Sequence, residues 1–119
     1  MKYFDMGMFP VKCGYAKNAK VYAKEMKRLG VKRPSAYVRE GKAAEVKYFE
    51  SNGATLIILC INKRKNRSEK QFLALLAHET VHVWQECKEV MGVKENDREV
   101  EAHAIQWIYQ QFLYNVKRK

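Results

Sequence analysis

The chain has 119 residues, 47% of them hydrophobic and 30% charged, with a formal net charge of +10. That length suits one domain with a modest core. The longest apolar run, 56–61, is far short of the ~18 residues a membrane span needs, and the N-terminus has no signal-peptide core, so a soluble protein that stays in the cytoplasm is expected.

Residues 8–15 alternate in polarity and contain Pro10, which predicts an edge strand. From Lys17 to Leu29 the chain reads as an amphipathic helix. Ala19, Tyr22, Met26 and Leu29 recur at helical spacing, and Gly30 ends the pattern. Ser35 to Arg39 can form a short strand. Ala44 to Glu50 and Thr55 to Asn62 then flank Ser51-Asn52-Gly53-Ala54, a hairpin in which Asn52-Gly53 suits a type I′ turn. The first hairpin strand alternates, as a half-exposed strand does. The second is apolar throughout, as a central strand would be.

Ser68, with Gln71 three residues on, has the form of a capping box opening a helix. Gly92 breaks that helix. Asn96 or Asp97 can cap a last helix, whose apolar stripe is read as Ala102, Ile105, Ile108, Tyr109, Phe112 and Val116. The expected fold is α+β, with a sheet of three or four strands packed on three helices.

Cys13, Cys60 and Cys87 are odd in number and widely spaced, which argues against a disulfide framework and a zinc knuckle. A reducing compartment fits them. Cys60 lies in an apolar strand and reads as core. Cys87 lies on the side of its helix opposite the motif described next.

His78-Glu79-Thr80-Val81-His82 falls within the first of the two C-terminal helices. Histidines four apart on a helix lie about 40° apart around its axis, so both imidazoles can reach one ion. Glu79 lies about 60° beyond His82, where a carboxylate can take a proton from a metal-bound water. A catalytic zinc site usually has three protein ligands. A hairpin of the two helices would bring Glu99 or Glu101 near the histidines. On the stripe as read, these two glutamates lie on opposite flanks. His103 and a cysteine are further candidate donors.

His78-Glu79-x-x-His82 followed by Glu99-x-Glu101-Ala102-His103 resembles the zincin metallopeptidases of the gluzincin type. It is similar to small regulatory proteases of the ImmA/IrrE kind and to small phage-encoded metallopeptidase-like proteins. The resemblance covers the last fifty or so residues well and the rest loosely. It implies a peptidase that binds Zn2+ through His78, His82 and Glu99, with Glu79 as general base. It also implies a peptide or protein substrate held in extended form by an edge strand beside the metal helix. His103 departs from the Asp or Asn that the family pattern has at that place. A zinc hydrolase of another amide, and a basic binding module with a structural metal, are the alternative readings.

The charge is uneven. Residues 1–70 hold seventeen Lys/Arg against six Asp/Glu, and residues 71–119 hold six against seven. Lys17, Lys20, Lys24, Lys27, Arg28, Lys32 and Arg33 form one cluster, and Lys63, Arg64, Lys65 and Arg67 another. These are solvated faces or a surface for nucleic acid or an acidic protein.

Overall fold

The computed structural model describes residues 1–7, 10–93 and 97–116. The elements in chain order are β1 (Tyr3–Asp5), β2 (Val11–Ala16), α1 (Ala19–Arg28), β3 (Ala44–Ser51), β4 (Ala54–Ile61), α2 (Glu69–Met91) and α3 (Arg98–Val116). The strands form one mixed sheet in the order β1-β2-β4-β3. β2 runs parallel to β4, and the other two pairings are antiparallel.

The uniform apolarity of β4 follows from this position. Its side chains alternate between two covered faces. Ile57, Leu59 and Ile61 pack with Leu76, Val83, Ile108 and Phe112 of α2 and α3. Ile58 and Cys60 pack with Tyr22 and Met26 of α1 on the other face. The fold is therefore α+β, with the sheet between α1 and the α2–α3 hairpin.

The hairpin turn forms as its residues dictate. Asn52 and Gly53 both have positive φ, 50° and 78°, the signature of the type I′ turn that matches strand twist. α2 also begins and ends where its sequence indicates. Ser68 and Gln71 complete the capping box in both directions, and Gly92 closes the helix in the left-handed conformation.

Three local expectations are corrected. β2 is an interior strand, not an edge, because Pro10 falls just before its ladder. The missing N–H of Pro10 is not needed there, and its carbonyl accepts from Thr55 N–H at 2.8 Å. Residues 35–39 are not a strand. The Tyr37 hydroxyl instead donates to the Ala16 carbonyl and accepts from the Ile61 N–H, pinning this loop to the ends of β2 and β4. Ala102 is exposed and stands outside the buried stripe of α3, which runs through Ala104, Ile105, Ile108, Tyr109, Phe112, Leu113 and Val116. Ile108 and Phe112 are fully buried and set that face, because a methyl group has little surface to bury.

A strand absent from the sequence reading, β1, joins the layers. Tyr3 faces α1 and donates its hydroxyl to Glu25, while Phe4 meets Trp107 and Phe112 edge-on. Asp97 caps α3, accepting from the N–H groups of Glu99 and Val100. The alternative cap Asn96 and the loop 94–96 lie outside the described residues, as does Met8 at the start of the expected first strand. Among the described residues no helix is long and apolar enough to cross a membrane.

Candidate active site

α2 is anchored by one side, and that fixes where its motif points. Leu76, Thr80, Val83 and Cys87 are fully buried, and the Thr80 hydroxyl is satisfied by the Leu76 carbonyl at 2.8 Å. His78 and His82 stand on the opposite, open side, one turn apart. Their rings meet edge-on with centroids 4.8 Å apart. The His78 side chain is 66% exposed.

Glu79 lies between these two sides. Only 8% of it is exposed, yet it lines the same cleft as the histidines. The cleft has a volume of about 360 Å³, and Ala44, Glu45 and Val46 of β3 form its opposite wall. The Glu79 carboxylate lies 3.9 Å from His78 Nε2. His82 Nδ1 and Gln85 Oε1 are 2.9 Å apart. With the proton on Nδ1 donated to Gln85, the Nε2 lone pair of His82 is free to ligate.

The remaining wall of the cleft is built by charge. Arg39 donates to Glu45 through both its backbone N–H and Nε, each at 2.7 Å. Burial pushes the Glu45 carboxyl up, but the Arg39 hydrogen bonds and the Lys47 ammonium outweigh it and hold the group below the usual carboxylate range. Glu86, one turn beyond His82, also lines the cleft.

The acids of α3 lie elsewhere. Glu101 shares its row with Ile105, Ile108 and Phe112, so it faces α2. It accepts from Trp84 Nε1–H at 3.1 Å and lies 3.5 Å from Lys88 Nζ. Glu99 is two residues earlier, hence about 160° away around the axis. Its side chain is 86% exposed, with His103 Nε2 at 3.7 Å. The structure thus brings His78, Glu79 and His82 together and leaves Glu99 and His103 outside their cleft. The two glutamates do not flank the stripe symmetrically, because Glu101 stands in the row of the fully buried Ile108 and Phe112 and Glu99 does not.

The donor types fit a divalent ion, with two imidazoles in place and carboxylates nearby. Among the described residues, however, no three His, Cys, Asp or Glu side chains are already gathered closely enough to hold one. The cysteines offer no alternative. Cys13 and Cys87 pack against each other in the core with sulfurs 3.7 Å apart, and Cys60 is buried on the far face of the sheet. Contact with Cys87 and burial together push the Cys13 thiol far up, so it stays neutral.

A larger hollow of about 500 Å³ surrounds the N-terminus of α2, between Tyr15, Phe72 and the loop Lys63-Arg64-Lys65. It contains no histidine or cysteine, and its Ser68 hydroxyl is engaged in capping. The chemistry-bearing residues are in the smaller cleft. Sequence reasoning had no signal for Glu45, which depends on how β3 meets α2; Glu86 was missed although its i, i+4 spacing from His82 puts it on the same row of α2. Comparison with family models, with curated proteins and with solved structures finds no match for this chain.

Proposed function

We propose that this protein is a metal-dependent peptidase, with Zn2+ as its ion. The carrying observation is the half-buried cleft in which Glu79 opens beside His78 and His82. His78 and His82 would hold the ion, which when bound polarises a carbonyl and acidifies a water. Glu79 would accept the proton of the attacking water and return it to the leaving amine. Its enclosure favours this role, because a carboxylate shielded from bulk water keeps its proton transfers local.

β3 supports the peptide as substrate. It is an outermost strand of the sheet, and its residues 44–46 wall the cleft. An extended chain that paired with its free edge would lie beside the cleft that holds the histidines. Glu99 is the third donor we propose, following the resemblance. It is exposed, and among the described residues its carboxylate pairs with His103. Its delivery requires the first turn of α3 to rotate towards α2, which gives up the Trp84–Glu101 hydrogen bond.

The test is metal analysis of the purified chain beside cleavage profiling on broad peptide libraries, with and without chelator. Stoichiometric zinc and chelator-sensitive cleavage are expected. Absence of both overturns the reading.

A further inference from the structure

The most sharply patterned surface outside the cleft is the outer face of α1. Lys20, Lys24 and Lys27 are exposed and recur at i, i+4 and i+7. Lys17 precedes the helix, and Lys32 and Arg33 follow it, all exposed. None of these six cations has an acidic partner among the described residues; the ion pairs of this region involve Arg28 and Glu25. Glu25 is the sole acid of α1. It is buried and committed to Arg28 and to the Tyr3 hydroxyl. The outer face therefore carries positive charge with nothing to offset it. α1 covers the sheet face opposite α2, so this surface is turned away from the candidate active site.

We infer that the outer face of α1 is a docking surface for the phosphate backbone of duplex nucleic acid. Charge complementarity argues for a polyanion, and the composition of the face selects which. Its apolar side chains, Tyr22 and Met26, are already buried against the sheet. None of the exposed large hydrophobic side chains of the described residues lies on α1. A membrane-surface helix needs such side chains to enter the acyl boundary. A protein partner needs an apolar centre to its interface, and here the lysines are flanked by just Ala19, Ala23 and the half-buried Val21. Single strands are held by stacking on aromatic rings, which this face lacks. A duplex needs none of these. It presents a negative charge about every 1.7 Å of axis, and the three helix lysines span about 10 Å. Recognition is by charge alone and carries no base specificity.

The experiment is fluorescence anisotropy with a labelled random-sequence DNA duplex of about 20 base pairs, titrated from low to physiological salt. Neutralising about four phosphates should give a log–log salt slope near −4. The charge reversal Lys20→Glu/Lys24→Glu/Lys27→Glu should weaken binding at least tenfold at low salt. The reversal Lys63→Glu/Arg64→Glu/Lys65→Glu changes net charge equally and should leave affinity within about threefold of the parent. Circular dichroism checks that both variants fold. Equal losses in the two variants overturn the assignment, because net charge alone would then explain binding. So do an absence of binding at low salt, tighter binding to single strands of the same length, and equal, Lys20-dependent binding to phosphatidylserine vesicles. None of these readouts depends on peptidase activity.

Discussion

The Trp84 indole N–H donates to Glu101 Oε2 across the α2–α3 interface at 3.1 Å. Trp84 is only 5% exposed, so this donor has little water to turn to. The bond binds one of the two acids of the first turn of α3 into the packing of the hairpin and leaves the other, Glu99, in solvent. The two carboxylates are close in sequence and differ in role for that reason.

Glu101→Ala should therefore cost stability rather than metal. Leaving a buried donor unpaired costs about 1–3 kcal/mol. Chemical denaturation should show that loss, while metal content matches the parent. A variant that loses metal at unchanged stability makes Glu101 a ligand. Glu99→Ala should do the reverse, keeping stability and losing metal.

The α1 side of the sheet should respond to acid through Glu25. The Arg28 guanidinium, foremost, and the Tyr3 hydroxyl hold its carboxyl below the ordinary value of 4.5 despite its burial. A carboxyl depressed in the folded state contributes stability that is complete above the unfolded value. That contribution fades as pH falls below 4.5 through the folded value. Denaturation midpoints of the parent should fall in that window, and those of Glu25→Gln should fall less. Parallel curves would show that Glu25 contributes nothing.

Local signals reached the sequence, and relative placements did not. The capping box at Ser68, the Asn52-Gly53 turn and the i, i+4 histidine pair each depend on neighbours in the chain, and each forms as written. The buried strand β4 was legible because nothing else tolerates six successive apolar residues. β1 was not, since its three residues become a strand only by pairing with β2. The rotation of α3 was misjudged by weighting all six stripe residues alike, whereas the fully buried Ile108 and Phe112 set the face and Glu101 stands in their row. A third ligand depends on how two helices face each other, which periodicity within one helix leaves undetermined.

Close pairing of β1 with β2 also predicts a sensitive position. A Cβ built on Gly14 would lie 3.0 Å from the Lys2 carbonyl oxygen and from Tyr3 Cδ1. The carbonyl is backbone and cannot swing aside as a side-chain tip can. Gly14→Ala should push β1 outward, loosening the Tyr3–Glu25 and Phe4–Phe112 contacts. Overpacking of this kind costs about 1–3 kcal/mol. Hydrogen exchange should report faster opening of residues 3–5 with the α2–α3 hairpin unchanged. Unaltered protection there would mean that β1 adjusts without cost.

The cleft makes its clearest demand on Glu79. It is far less exposed than either histidine of the motif, and the cleft it lines also holds the two imidazoles. Glutamine has the same shape and can still accept a hydrogen bond, but it cannot take a proton at neutral pH. Glu79→Gln should therefore fold as the parent does and keep its metal, because His78 and His82 are untouched. Hydrolysis should fall at least ~10²-fold, the low end for a positioned general base. His78→Ala should instead lose the metal and the activity together. The two variants separate the roles: one abolishes proton transfer at an intact site, the other removes a ligand. If Glu79→Gln cleaves peptides as fast as the parent, Glu79 is not the base. If His78→Ala keeps stoichiometric metal, the ion is held by other residues, and the cleft between β3 and α2 is not its site.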